Sequence, residues 1–549
     1  RLPTDLLDDP AVPSRLTGSF HIVAYDADAR KLVAIVDRLA SRAIFYYQDS
    51  RYLVLSSDIR AILGIPGADC SVDMEGLAQF VRIQTVLGDR TLYRWIRTLP
   101  PGAVLRVALQ EPGTYVQRYW SMDPLPAFDS DEDAALGVQA AFVKAGQRIA
   151  RGTELGGVLL SGGLDSRLVL AVVQPNVQAL EAFTFGPGIT DEGLVAQTVA
   201  RAANLPWRFI GQTARDYWAQ LDAVLPTLQA QYSIAHTHPF RTARMMGRLG
   251  VDTIFHGLEL CVAYSGSYLP KQHRRIAGRR VAIYRLAPMG SRREVRHRFL
   301  EQHDIQEGEF RRSFLRGTMR DTWQGAVEQA LDLALADAAE KWASPYDWYE
   351  KGLLSAGFSK FRSYIVATCN RAVARERSLM PDSDVIDAYL RLTVRQRFLG
   401  PVYRRALERI DPALAHILYP NTGTSPFAPP AVQALALQVR QFGRANRERM
   451  RRLLAPVGLG SLLQEQLYGS YPSAGAMAQV LTSADLPSTV ATKKALTDGP
   501  LAESGIVDVQ RLRECIERGS PEGENESLTL LALATLAAWF ERYPARIER

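Results

Sequence analysis

Short runs of β-branched and aromatic residues alternate with turn sequences near the start of the chain. Because strand-forming residues dominate these runs, and polar turn segments such as residues 26–30 and 48–51 separate them, we expect antiparallel strands. The predicted strands cover residues 20–25, 32–36, 43–47 and 52–55. A segment rich in proline and acidic residues, 124–133, predicts a linker.

From residue 157 the pattern changes to alternating strands and helices. Strands are predicted over residues 158–160, 182–185, 208–210 and 253–255, with helices over 191–203 and 240–249 between them. This alternation is typical of an α/β fold with a doubly wound parallel sheet, in which the ligand crevice lies beyond the carboxyl ends of the strands. Beyond residue 331 the pattern is mostly helical. The predicted fold is therefore an antiparallel β-rich domain, a doubly wound sheet and a large helical C-terminal part.

The segment after the first strand of that sheet has the clearest chemistry. Residues 157–167 read Gly-Val-Leu-Leu-Ser-Gly-Gly-Leu-Asp-Ser-Arg. A strand, a glycine-rich turn and a helix N-terminus present backbone N–H groups to an anion, and Gly162 and Gly163 allow phosphate to approach closely. Ser161 and Ser166 add hydroxyl donors. Because Asp165 would repel a phosphate, we expect a divalent metal between the two.

Composition adds few constraints. Hydrophobic residues at 47% and charged residues at 22% fit a soluble globular protein, and no apolar run is long enough to cross a bilayer. Four widely spaced cysteines suggest neither a disulfide framework nor a zinc site, so we expect a cytoplasmic protein.

The net charge of +7 is concentrated in residues 271–298, which carry nine arginines. We predict a solvated helical insertion there, with a docking surface for an acidic partner, peptide or nucleotide as the alternative. No nucleic-acid motif accompanies this stretch, so nucleic-acid binding is not expected.

The string Ser161–Ser166 lacks the Gly-Lys-Ser/Thr ending of a Walker loop and resembles the PP-loop of the ATP pyrophosphatases. With both halves considered, the chain resembles the asparagine synthase family. Its members join a glutamine-amidotransferase-like domain, of the Ntn-hydrolase type, to a PP-loop synthetase domain. Further segments similar to the family are Leu16–Phe20, Asp37–Arg38, Phe45–Tyr47, Leu55–Asp58, Gly88–Leu92, Leu99–Gly102, Thr184–Gly186, Asp191, Arg377–Asp387 and the C-terminal helical tail.

The resemblance implies three domains and an ATP site. The domains are 1–125, amidotransferase-like and incomplete or degenerate; 126–430, the PP-loop domain; and 431–549, a helical extension. Leu160 and Phe185 would line the adenosine pocket, and His256 and Gly257 would close over the nucleotide. The PP-loop would hold pyrophosphate and Mg2+, with Asp165 as the metal ligand. The full set of implied ATP-binding residues is Leu160, Ser161, Gly162, Gly163, Leu164, Asp165, Ser166, Phe185, Gly186, His256 and Gly257.

Three departures from the family pattern concern activity. The glutaminase cysteine expected at a mature N-terminus is not in this sequence, which begins at Arg1. After the strand 253–255, Leu258 and Cys261 stand where the family has acidic residues, and Glu259 is the carboxylate that could compensate. Residues 414–424 lack the family's catalytic lysine, whose charge could come from Arg371, Arg395 or Arg404. The predicted catalytic residues are Asp165, Glu259 and Arg371.

The leading hypothesis is an ATP-dependent ligase that adenylylates a carboxylate, by default aspartate, and forms an amide with nitrogen from glutamine or ammonia. A second hypothesis is a relative that closes an amide ring, resembling lasso-peptide cyclases or β-lactam synthetases. A third is a catalytically inactive nucleotide-binding relative. A small-molecule or peptide carboxylate is the expected partner, with no membrane. A homodimer is compatible with the sequence, which does not determine the oligomeric state.

Overall fold

The computed structural model describes residues 9, 11–108, 114–276, 279–303, 314–316, 319–355, 364–420, 422–454 and 472–547. Within these ranges, strands dominate the first part of the chain, a parallel sheet lies in the middle, and helices make up most of the rest.

The N-terminal part contains two antiparallel sheets, as predicted. One has the strand order β1-β2-β6-β7 and the other β4-β3-β5. The four predicted strands are observed as β1 to β4, and each begins within two residues of its predicted start; β5, β6 and β7 were not predicted. The strands are β1 (His21–Asp26), β2 (Lys31–Val36), β3 (Phe45–Gln48), β4 (Leu53–Ser56), β5 (Ile96–Thr98), β6 (Ala103–Ala108) and β7 (Thr114–Arg118).

Strand β2 shows how alternation places this sheet. Successive side chains point to opposite faces of a strand. Ala34 and Val36 lie in a core cluster that also contains residues of β6, and side chains of β3 and β4 pack against this cluster. Val33 and Ile35 belong to a separate cluster on the other face. Both faces of β2 are therefore covered.

The central sheet is parallel and has the order β10-β9-β8-β11-β14. The first strand of this sheet, β8, lies between β9 and β11. The chain adds β9 and β10 on one side of β8 and then β11 and β14 on the other, so the strand order reverses between β8 and β11. In doubly wound folds the ligand crevice opens at that switch point. The strands from β8 onward are β8 (Leu155–Leu159), β9 (Ala179–Gly186), β10 (Trp207–Gly211), β11 (Thr253–His256), β12 (Lys271–Ile276), β13 (Arg279–Leu286) and β14 (Arg375–Ser378).

Helices flank the sheet and form the C-terminal part. The predicted helices at 191–203 and 240–249 correspond to α6 and α9. The helices are α1 (Val12–Arg15), α2 (Ile59–Leu63), α3 (Met74–Ile83), α4 (Asp131–Ala150), α5 (Leu164–Val173), α6 (Asp191–Ala202), α7 (Ala214–Ala219), α8 (Leu221–Leu228), α9 (Phe240–Arg248), α10 (Leu260–Ser265), α11 (Arg292–His303), α12 (Arg320–Lys341), α13 (Pro345–Ser355), α14 (Ile365–Arg371), α15 (Ser383–Leu390), α16 (Val394–Arg397), α17 (Pro401–Ile410), α18 (Pro412–Ala415), α19 (Pro430–Leu454), α20 (Ala474–Ser483), α21 (Pro487–Asp498), α22 (Pro500–Glu503), α23 (Val509–Glu517) and α24 (Gly523–Phe540).

The basic stretch 271–298 differs from its prediction. The structure has an antiparallel hairpin, β12–β13, followed by α11, whereas we expected a helical insertion. Residues 281–286 read Val-Ala-Ile-Tyr-Arg-Leu, and their β-branched and aromatic side chains favour a strand. Arginine-rich composition gave no information about this local preference.

The last helix, α24, is buried along most of its length and shares a core with α3 of the N-terminal part. The Trp539 indole N–H donates to the Tyr93 hydroxyl at 2.9 Å. The C-terminal helices therefore pack on the N-terminal domain as well as on the α/β unit. Within the described ranges, no helix combines the length and hydrophobicity needed to cross a membrane.

Candidate active site

The loop between β8 and α5 has the geometry of an anion-binding turn. Gly162 has φ +75°, a backbone conformation that residues with a Cβ rarely adopt, and a Cβ at this position would lie 2.9 Å from Val195 Cγ1. Helix α5 starts directly after Gly163, so its first N–H groups face the loop. The Ser161 hydroxyl accepts the Gly163 N–H at 3.3 Å, and the Ser166 hydroxyl donates to the Gly163 carbonyl at 3.1 Å. The loop is thus shaped by its own hydroxyls.

A cavity of about 180 Å³ opens at the carboxyl ends of β8, β9 and β11. We call it the larger cavity, because a second, smaller one lies next to it. Its walls are mainly apolar, with polar groups from the loop at one end. Phe185 and His238 both line it, and their rings are in contact, with centroids 5.8 Å apart. Burial lowers the pKa of His238 to about 4, so this ring is neutral at pH 7. The lining residues are Leu159, Leu160, Ser161, Asp165, Ser166, Phe183, Thr184, Phe185, His238, Pro239, His256, Gly257, Leu258 and Val366.

Asp165, in the first turn of α5, is held from two sides. The Tyr403 hydroxyl donates to Oδ1 at 2.9 Å and the Cys261 backbone N–H donates to Oδ2 at 3.1 Å. Burial raises the pKa of Asp165 to about 6, and these two hydrogen bonds only partly oppose that effect. Gly257 lies against the same turn, since a Cβ there would be 2.7 Å from the Asp165 carbonyl oxygen. Strand β11 therefore approaches the loop closely.

Arg167, two residues further on, is fully buried and ties the loop to a distant segment. Its guanidinium donates to the Gly162 carbonyl at 2.9 Å. It also donates to the carbonyls of Leu414 at 3.1 Å, Ile417 at 2.6 Å and Leu418 at 2.9 Å. Burial lowers the pKa of Arg167 to about 10. These four contacts join the backbone of the loop to the end of α18 and the residues that follow it.

A smaller cavity of about 30 Å³ lies beyond His256, between the parallel sheet and the N-terminal part of the chain. Glu259 and Arg371 line it, as do residues 39–41 of the N-terminal part. Glu259 has φ +74°, an uncommon conformation for a residue other than glycine. Such strain is often found at functional sites. His256 lines both cavities and so forms part of the wall between them.

Glu376 of β14 organises the smaller cavity. Its Oε1 lies 2.7 Å from His256 Nε2, and its Oε2 accepts from Arg371 Nε at 3.0 Å and Nη2 at 2.8 Å. Burial would raise the pKa of Glu376, but Arg371 and His256 outweigh burial and hold it well below its usual range. The buried carboxylate therefore remains charged.

The structure brings most of the predicted site residues together in two neighbouring cavities. Seven of them line the larger cavity, and Glu259 and Arg371 line the smaller one. Gly162, Gly163 and Gly186 contribute backbone near the loop and sheet edge. Leu164 does not line the larger cavity; its side chain is buried in the main hydrophobic core, because the first turn of α5 points it inward.

The arginines considered as substitutes for the missing lysine are placed differently from one another. Arg395 has a side chain 76% exposed and pairs with Asp131 at 2.7 Å, away from both cavities. Arg404 is close enough to Tyr419 to affect the pKa of that phenol, which burial raises to about 12. Arg371 forms an ion pair with Glu376 at 2.8 Å.

Sequence reasoning missed Glu376, Tyr403, His238 and Arg167. Glu376 lies in the sequence Arg-Glu-Arg-Ser, which forms the edge strand β14 although its charged side chains do not favour a strand. His238 lies in the short segment before α9, outside the predicted strands and helices. No periodicity marks Tyr403, which reaches Asp165 from α17. For Arg167, an arginine within an otherwise apolar helix was the available clue.

Comparisons with known proteins agree with this architecture. The family model of the glutamine amidotransferase domain matches residues 9–120, and that of asparagine synthase matches residues 137–391. The asparagine synthetase [glutamine-hydrolyzing] 3 of Bacillus subtilis (strain 168) is 28% identical over 158 residues. That match covers 29% of this chain and 25% of the relative, so the aligned part spans a quarter of the relative's length.

Both domain types occur here in sequence, and the PP-loop lies at the switch point of the second. On these matches and this fold, residues 9–120 belong with the glutamine amidotransferase domains and residues 137–391 with the asparagine synthase family.

Proposed function

We propose that the protein is an ATP-dependent carbon–nitrogen ligase that adenylylates a carboxylate, with aspartate as the default substrate, and then forms an amide. The observation that carries the proposal is the loop at Ser161–Ser166, which ends at the N-terminus of α5 and borders the larger cavity. An apolar cavity beside a phosphate-binding turn suits a nucleotide.

The two ends of the larger cavity suit the two ends of ATP. Leu160, Phe185 and Val366 provide apolar surface for the base, and the neutral ring of His238 adds a polar edge. The hydroxyls of Ser161 and Ser166 and the N–H groups at the start of α5 lie at the phosphate end. Arg167, although fully buried, adds a fixed positive charge behind the loop.

The residues at the loop fit one Mg2+ ion shared with the phosphates. Within the described ranges, no cluster of three or more His, Cys, Asp or Glu side chains could bind a metal alone. Mg2+ commonly takes one or two carboxylates together with phosphate oxygens and water. Asp165 accepts one hydrogen bond on each oxygen, which leaves lone pairs on both. When bound, the ion would neutralise charge on the phosphates.

The protein's own part in the reaction is to position and shield the reactants. The substrate carboxylate attacks the α-phosphorus, the bond to the β-phosphate oxygen breaks, and pyrophosphate leaves. The loop holds the departing phosphates, while the apolar walls exclude water that would hydrolyse the acyl-adenylate. Arg371 and Glu259 border the smaller cavity, where the second substrate would approach.

We propose glutamine or free ammonia as the nitrogen source, on the strength of the amidotransferase domain match. That domain touches the site directly. Residues 39–41 line the smaller cavity, and the Ala43 N–H donates to the Tyr364 hydroxyl at 3.3 Å. The reaction as a whole would take place in the cytoplasm.

A second candidate is a ring-forming ligase with a larger, peptide-like carboxylate. It is favoured by Leu258, which lines the larger cavity where the family has an acidic residue. Cys261 provides Asp165 with a backbone N–H and no carboxylate. An apolar wall at this point suits a bulkier substrate than free aspartate.

ATP–pyrophosphate exchange tests these assignments. We expect exchange with aspartate in the wild type and loss of exchange in Asp165→Asn. The matched control is Asp222→Asn, at an exposed carboxylate paired with Arg542, which should keep wild-type exchange. Exchange only with larger acids would favour the ring-forming candidate. Tight ATP binding without exchange, for every acid offered, would show an inactive relative and refute the proposal.

A further inference from the structure

His256, the last residue of β11, has an incomplete set of hydrogen bonds at the boundary of the two cavities. The side chain is only 4% exposed and lines both cavities. Its Nε2 lies 2.7 Å from Glu376 Oε1. Its Nδ1 is buried and has no hydrogen-bond partner among the described residues. Buried polar atoms are normally satisfied, and exceptions often have a functional role.

The partner of Nε2 determines which ring nitrogen carries the hydrogen. Glu376 is buried and ion-paired to Arg371, so its carboxylate is charged and can only accept a hydrogen bond. Nε2 must therefore carry the hydrogen and donate it. In the neutral ring Nδ1 then has a lone pair, which makes it an acceptor and a base.

Carboxylate–imidazole pairs of this kind support proton transfer. The carboxylate fixes the tautomer and stabilises the imidazolium that forms when the other nitrogen takes a proton. Arg371, with two hydrogen bonds to Glu376, fixes the carboxylate in turn. The three side chains come from α14, β14 and β11, so only the folded sheet brings them into line.

We propose that His256 Nδ1 is the general base of the amide-forming step, with Glu376 and Arg371 as positioning residues. This inference rests on the proposed function. The nitrogen lone pair of the neutral amine forms a bond to the acyl carbon of the acyl-adenylate. The bond from that carbon to the phosphate oxygen breaks, and AMP leaves with the electron pair. The proton that the nitrogen loses goes to Nδ1.

The test separates amide formation from adenylation. Aspartate is the carboxylate probe, and product is measured with ammonia or with hydroxylamine. Hydroxylamine attacks as a neutral, strong nucleophile and depends little on a base. We expect His256→Ala to lower amide formation at least 100-fold, in the range of general-base effects. Hydroxamate formation and pyrophosphate exchange should fall no more than about tenfold. Free imidazole should restore part of the amide formation.

Two further variants keep the test decisive. His256→Gln preserves much of the side-chain volume and a hydrogen bond to Glu376 but has no basic nitrogen, so it should show the same selective loss. His238→Ala removes a ring that lines the larger cavity but not the smaller one. If His238 serves only nucleotide binding, that variant should lower amide and hydroxamate formation equally.

Each result bears on the inference. An equal fall of both products in the His256 variants would show that His256 only binds nucleotide, and would overturn it. Unchanged amide formation would also overturn it while leaving the proposed ligase intact. A wild type without exchange for any acid would refute the proposed function itself, and the role of His256 with it.

Discussion

The carboxylate of Asp165 should lower the free energy of unfolding of the wild-type protein at neutral pH, because burial disfavours its charged form. Its pKa is about 6, against an ordinary value of 3.8, and this difference corresponds to a loss of about 3 kcal/mol in the free energy of unfolding at neutral pH. Because Asp165 is half-buried rather than fully enclosed, we expect about 2 kcal/mol in practice. In Asp165→Asn, the amide oxygen can accept from Cys261 and the amide nitrogen can donate to Tyr403. The variant should therefore be more stable at neutral pH and inactive.

The sign of the pH dependence follows from the direction of the shift. Below the ordinary pKa of 3.8 the wild-type carboxyl is protonated in both the folded and unfolded protein, so wild type and variant should differ little. As the pH rises from about 3.8 to 6, the unfolded wild type loses this proton while the folded protein keeps it, so the stability of the wild type falls relative to that of Asp165→Asn. Above pH 6 the difference stays constant. It should appear as a rise in melting temperature of roughly 4 to 8 °C.

Thermal unfolding at pH 4 and pH 8, without nucleotide or magnesium, measures this difference. Pyrophosphate exchange on the same samples measures activity. Asp222→Asn, at an exposed position, should change neither. A stability difference independent of pH, or a variant less stable than wild type at pH 8, would refute the reasoning about Asp165.

Three further substitutions test other parts of the site and core. Gly162→Ala adds a Cβ at φ +75° and 2.9 Å from Val195, so ATP affinity measured by calorimetry should fall at least tenfold. Arg167→Met leaves four carbonyls without a donor and should cost about 3 kcal/mol in urea unfolding, with Arg167→Lys recovering only part of it. Arg397→Met leaves buried Glu350 without its ion-pair partner at 2.9 Å and should cost about 3 to 5 kcal/mol, whereas exposed Arg395→Met should cost little.

Local sequence determined the elements and the loop because their causes are local. Alternating side chains identify β1 to β4 wherever they occur, and a glycine pair after an apolar run identifies the loop at Gly162. The hairpin in the basic stretch was missed because charge was weighed above strand propensity. Strand β14 was missed because its charged residues, Glu376 above all, are paired through contacts that the local pattern does not reveal.

The sequence by itself therefore determined the order of the two domain types, the parallel sheet and the glycine-rich loop that follows its first strand. Only the tertiary structure decided which side chains meet there. Tyr403 reaches Asp165 across 238 positions and Glu376 reaches His256 across 120. The second pair depends on strand order, since β11 and β14, which carry His256 and Glu376, are neighbours in the sheet but are not consecutive in the chain. Burial then changes the acidity of the groups brought together, an effect of the folded surroundings that no local pattern contains.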